Sequence, residues 1–196
     1  MATNEPFPVE FDELLAAEFD YIAQTAIQAN EDRARVSSFY LIAVGSLVAA
    51  LFGTQYVDPQ LFSTRDVNLM FSGLFVLLTL LGGSTVMQLA RLRAAWYESA
   101  LAMNQLKDFM MSQNTTLVQA FRWKTSTLPS KYKRDSVSYY QAVEVAMISG
   151  LMFGAAIFFL LRAFFFSNNV FHWILSALIG AVTIYLQLVL YRRALK

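Results

Sequence analysis

Residues 67–90 read VNLMFSGLFVLLTLLGGSTVMQLA, a run without a single Asp, Glu, Lys, Arg or His. About 20 consecutive apolar residues suffice to cross a bilayer as a helix. Three further stretches have the same character: Val36–Gly53 (VSSFYLIAVGSLVAALFG), Val145–Leu161 (VAMISGLMFGAAIFFLL) and Trp173–Leu190 (WILSALIGAVTIYLQLVL). Composition agrees. Of 196 residues, 57% are hydrophobic and 15% charged, with 17 Phe and 8 Met, and the mean hydropathy is +0.45. Soluble domains run near 45–50% apolar and about 25% charged. The expected fold is therefore an all-α membrane protein, with four transmembrane helices, long cytoplasmic helical extensions and a homo-oligomeric assembly in the lipid bilayer.

Orientation follows from Lys and Arg, which accumulate on the cytoplasmic side of short loops. Arg33 and Arg35 precede the first span. Arg91, Arg93, Lys107, Arg122, Lys124, Lys131, Lys133 and Arg134 separate spans two and three, and Arg192, Arg193 and Lys196 follow span four. Only Arg65 and Arg162 fall on the other side. Both termini and the central segment are thus expected in the cytoplasm. The acidic N-terminus lacks the basic start of a secretory signal, and His172 and Trp173 fall where an interfacial belt is expected.

Four regions follow: an acidic helix in 1–35, spans one and two in 36–90, a helical and basic segment in 91–144, and spans three and four with a short tail in 145–196. No Gly or Pro interrupts Phe11–Val36, and Phe11, Leu15, Phe19, Ile22, Ala26 and Ala29 recur at helical spacing. This helix is expected to run straight into span one. Span two is expected to continue to Asn114, with Leu92, Trp96, Met103, Leu106 and Met110 near one face, and to pack against the first extension, within one subunit or between subunits. Residues 114–136 should hold a short helix, a turn at Pro129 and a basic loop.

Several chemistries lack their residues. There is no Cys, which removes disulfide and thiolate metal sites. One His, no Gly-rich phosphate loop and no Ser/His/Asp order leave no catalytic constellation, so a non-enzyme without cofactor or metal is expected. The spans carry no ionisable side chain, whereas proton relays and coupled transport depend on such groups.

The net charge of +1 conceals two opposed segments. Residues 1–32 hold Glu5, Glu10, Asp12, Glu13, Glu18, Asp20, Glu31 and Asp32 with no Lys or Arg, whereas 91–134 hold eight basic residues against Glu98 and Asp108. One reading takes the charges as topology and solubility. Another has the acidic helix docking on the basic segment, with an anionic ligand competing for that surface. Phe121, Trp123 and Tyr132 interleave with Arg122, Lys124, Lys131, Lys133 and Arg134. Aromatics that stack on bases and cations that meet phosphates suit a nucleotide or a short single-stranded oligonucleotide; the same pattern suits headgroup anchoring.

Small residues permit close helix approach in membranes. Gly45, Ala49 and Gly53 on span one, and Gly150 and Gly154 on span three, read as packing faces, while Thr79, Gly82, Gly83, Ser84 and Thr85 form a mild polar break in span two. On span four, Ser176, Gly180, Thr183 and Gln187 share one face. That stripe reads either as interhelical hydrogen bonding or as the wall of a pore. Four helices are too few to enclose a pore alone, so a pore requires a ring of subunits.

Four short spans, long cytosolic helices and no catalytic residues form a layout that resembles the small effector subunits of bacterial antiviral nucleotide-signalling systems. These are the SLATT-like effectors and the channel subunit of Hailong-type defence systems. The resemblance is architectural and covers the whole chain. It implies a homo-oligomeric channel in the bacterial inner membrane that depolarises the cell during infection. It also implies control by a nucleotide or oligodeoxyadenylate signal made by a partner nucleotidyltransferase. On the charge split, the signal is expected at 121–134, and Phe7, Phe11, Leu15 and Phe19 are expected in the gate or latch of a cytosolic bundle, in a tetramer.

Overall fold

A computed structural model describes residues 11–53, 63–165 and 169–196. They form four helices: α1 (Phe11–Gly53), α2 (Thr64–Gln113), α3 (Val137–Phe164) and α4 (Val170–Ala194), with 3-10 turns at Thr115–Val118 and Thr125–Thr127 between α2 and α3. Each of the four is long and apolar enough to cross a membrane. Phe7, expected in the gate, lies outside the described residues, as does most of the loop expected between spans one and two.

α1 holds 43 residues and α2 holds 50, both without interruption. At 1.5 Å per residue they are about 65 and 75 Å long, roughly twice the hydrocarbon thickness of a bilayer. The region boundaries at 35/36 and 90/91 therefore fall inside continuous helices. They mark a level along the bundle, with no break in the chain.

Local chemistry sets the helix starts. Ser63 Oγ accepts from the Asp66 N–H (3.2 Å) and donates to Asp66 Oδ2 (2.6 Å), a reciprocal cap for α2. Ser136 Oγ accepts from the Tyr139 N–H (3.2 Å) at the start of α3, and Asn169 Oδ1 from the Phe171 N–H (3.3 Å) at the start of α4. α3 thus begins eight residues before its expected span. Arg192 and Arg193 sit in the last turn of α4, where the helix dipole favours cations.

α2 and α3 form the centre of the bundle; α1 packs chiefly on α2, and α4 chiefly on α3. One apolar cluster joins Tyr40, Val86, Leu89, Ala90, Val145, Ala146 and Tyr191. A second gathers Phe75, Leu78, Met152 and Ala156, with the Phe159 ring stacked 5.6 Å from that of Phe75. Beyond the spans, the stripe expected on α1 faces α2: Ile22 and Ala29 are buried, and Leu15, Phe19 and Ala26 half-buried. Thr25 Oγ1 and Ser99 Oγ lie 3.0 Å apart across this contact, and Lys107 Nζ stands 5.6 Å from the centre of the Phe19 ring. The two extensions thus pair within one subunit.

Candidate functional site

Three layers of polar residues are stacked along the bundle. The deepest lies among the spans. Ser149 of α3 donates to the Thr79 carbonyl of α2 (3.1 Å) and accepts from Gln187 Nε2 of α4 (2.8 Å). Gly82 makes this approach possible: a Cβ there would stand 2.5 Å from Ser149 Cβ and 2.7 Å from Tyr40 Oη. Tyr40, on α1, is fully buried, and its hydroxyl lies beside Ser149 without a well-directed hydrogen bond. One serine therefore ties three helices together and touches the fourth. Gln187 Oε1 is buried and unpartnered among the described residues.

This node places the stripe expected on a pore wall. Ser176, Gly180 and Gln187 are buried inside the subunit against α3. A Cβ on Gly180 would lie 2.7 Å from the Gly150 carbonyl oxygen, and one on Gly154 would lie 3.0 Å from that of Ser176. Thr183 is half-buried and donates to the Ile179 carbonyl of its own helix (2.9 Å). The stripe is engaged in packing α4 onto α3 and does not form an exposed face. Other polar side chains of the spans do face outward: Ser38 and Ser46 on α1, and Ser84 and Gln88 on α2.

The second layer sits where the spans end on the basic side. Arg33 precedes span one by a turn, Arg93 follows span two by a turn, Tyr191 follows span four, and Ser138 lies on the first turn of α3. Arg93 is only 6% exposed. Its guanidinium lies 4.3 Å over the Trp96 ring, and its Nε donates to the Lys131 carbonyl (3.3 Å). Arg33 lies within Coulombic reach of Arg93 and Tyr191. Burial lowers the pKa of both guanidinium groups, and for Arg33 the charge of Arg93 adds to the effect. Ser138 Oγ and Tyr191 Oη lie 3.0 Å apart beneath them. In the sequence both arginines read as topology signals only. Each arginine lies three residues beyond its span, Arg33 before Val36 and Arg93 after Ala90, which puts the two at one level.

The third layer is the basic segment, which folds back along α2 as a strap. Asn104 Nδ2 donates to the Lys124 carbonyl (3.1 Å), and Asp108 Oδ2 accepts from the Thr125 N–H (3.2 Å). The eight residues expected to bind a signal are divided by this strap. Lys131 is engaged, with Nζ 3.6 Å from Glu98 Oε1 and 5.7 Å from the Tyr97 ring. Tyr132 packs edge-on to Tyr139, with Arg192 over its ring. Phe121 and Lys124 are half-buried, whereas Arg122, Trp123, Lys133 and Arg134 are exposed. Trp123, at 69% exposed, and Arg122 are an adjacent aromatic and cation open to solvent.

The docking of acidic helix on basic segment takes a different form. The two ion pairs among the described residues are Arg35–Asp32 and Lys131–Glu98. Neither joins α1 to 91–134. The two regions meet through apolar side chains, the Thr25–Ser99 pair and the Lys107–Phe19 contact. Of the residues expected in the latch, Leu15 and Phe19 are in this seam and Phe11 begins the helix.

No protein-family model, curated protein or solved structure matches this chain.

Proposed function

We propose that the chain is the subunit of a homo-oligomeric membrane channel whose opening is set by the paired extensions of α1 and α2. The observation that carries this reading is continuity. Each of these helices passes from extension to span without a break, so a displacement of the seam at Phe19, Ile22, Thr25 and Ala29 is transmitted to the membrane part as a rigid lever. α1, like α4, is held chiefly by one neighbour, here α2, and its outward face of Ser38, Ile42, Gly45 and Ala49 is free to meet another subunit. In the bacterial antiviral setting that the architectural resemblance implies, the signal is an anionic nucleotide or oligonucleotide made by a partner nucleotidyltransferase. It is read at Arg122 and Trp123 with Lys124, Lys133 and Arg134.

Planar-bilayer conductance of the purified protein tests the proposal. Conductance is expected in the full-length protein or after deletion of residues 1–20, and silence in both defeats it. Joint charge reversal of Arg122, Lys124 and Lys133 is expected to abolish binding of a short oligodeoxyadenylate; unchanged binding moves the signal site elsewhere.

A second reading, a non-conducting membrane scaffold that recruits a soluble partner, draws support from the inward turn of Ser176, Gly180 and Gln187. A stable monomer in detergent and in bilayers, without conductance, is its expected signature.

A further inference from the structure

Arg33 and Arg93 present a physical difficulty at the level where the spans end. Two cations are drawn together and partly removed from water, and buried charges are tolerated when they are paired. Two acids close to them in the chain face other cations. Asp32, the neighbour of Arg33 in the chain, bonds Arg35 at 3.2 Å, and Glu98 faces Lys131. Among the described residues neither Arg33 nor Arg93 has an ion pair. Arg33 Nη2 donates to Asn30 Oδ1, and its Nε is buried without a partner. Arg93 spends Nε on the Lys131 carbonyl, while its terminal nitrogens make no hydrogen bond among the described residues. The Trp96 ring, 4.3 Å from its Cζ, anchors that guanidinium, and its terminal nitrogens are the fork that can meet an oxyanion.

We propose that Arg33 and Arg93, with the Tyr191 hydroxyl beside them, form a binding site for a phosphate group at the membrane boundary. The phosphate is carried either by a lipid headgroup or by a soluble molecule. An oxyanion supplies the missing counter-charge and takes charge-assisted bonds from both forks. The position suits a headgroup, since basic pockets between helix ends on the cytoplasmic side are a recurrent headgroup site. This site is separate from the exposed Arg122–Trp123 surface and does not depend on whether the chain conducts.

The test uses full-length protein in nanodiscs, with Trp123→Phe and Trp173→Phe leaving Trp96 as the reporter beside Arg93. One arm adds phosphatidic acid to phosphatidylcholine discs; the other adds inorganic phosphate to phosphatidylcholine discs alone. Native mass spectrometry counts retained lipid in parallel. A Trp96 response to phosphatidic acid, with lipid retained, assigns the phosphate to a headgroup; a response to inorganic phosphate assigns it to a soluble source. Arg33→Gln is expected to weaken the response about tenfold, the scale of one charged hydrogen bond. Arg33 is half-buried, so this variant tests the site even if Arg93→Gln fails to fold. Arg35→Gln, which removes an equal charge already paired with Asp32, is expected to leave binding unchanged. If neither probe moves Trp96, or if Arg35→Gln loses as much as Arg33→Gln, the proposal is overturned.

Discussion

Along α3, Gly150 and Gly154 meet Gly180 and Ser176 of α4 so closely that backbone lies against backbone. Along α1, Gly45 and Ala49 stand at the same four-residue spacing, yet a Cβ added at Gly45 would touch nothing within 4 Å. The motif is alike in both helices and its use is opposite. Small residues allow close approach, but whether that approach is made depends on which helix lies alongside. On α3 the partner is α4 of the same subunit. On α1 the subunit offers none, which leaves the face for lipid or for a second copy.

The largest expected effect is in the filled seam. Gly150→Leu places a branched side chain against the Gly180 carbonyl and Ile184, and Gly180→Leu does the same from the other side. Overpacking of this kind costs roughly 3 kcal/mol, the upper end of its usual range, because the obstacle is backbone. Denaturant unfolding in mixed micelles, followed by circular dichroism, checks it. If Gly150→Leu unfolds like the parent protein, the α3–α4 seam is not as close as described.

Gly82→Ala comes next. The methyl would meet the Ser149 side chain and Tyr40 Oη, and the loss is expected at about 1–2 kcal/mol. Ser149→Gly in the same chain removes the obstacle and should restore part of that stability, although it also removes the hydrogen bonds to Thr79 and Gln187. A double-mutant cycle reads the coupling, and simple additivity would mean that Gly82 and Ser149 do not touch.

Gln187→Leu probes the polar node more gently. It deletes the 2.8 Å bond to Ser149 and also the unpartnered Oε1. Hydrogen bonds between membrane helices contribute about 0.6 kcal/mol on average, and losing the orphan oxygen offsets some of that. The expected change in unfolding free energy is therefore below about 1 kcal/mol. A larger loss would mean that Gln187 holds the four helices together to a degree its geometry does not suggest.

The sequence made the spans, the two long helices and the Ile22–Ala29 stripe legible because each rests on periodicity within one segment. What escaped it are relations between segments. The stripe Ser176–Gly180–Gln187 is visible as a face, but its direction is decided by Gly150 and Gly154 on another helix. The opposed charges of 1–32 and 91–134 were visible as totals. The strap directs Lys131 to Glu98 and leaves Arg122 outward, and among the described residues no ion pair joins the two segments. Arg33 and Arg93 looked like ordinary boundary charges, and only the packing of α1 on α2 makes them neighbours.

Gly45→Leu completes the comparison and carries the smallest expected effect on the subunit. The added side chain enters open space, so it meets no steric cost. A helix interior also favours Leu over Gly by up to about 1 kcal/mol, which can raise stability slightly. Unfolding of the monomeric subunit in detergent is expected to stay within about 0.5 kcal/mol of the parent, or to rise. If this face closes on a second copy in the bilayer, the same substitution separates the copies, and cross-linking between single cysteines placed at Ser46 and Ala49 falls while the fold persists. A loss of subunit stability as large as that of Gly150→Leu would show instead that α1 packs this face inside the subunit, and the two glycine faces would then be alike.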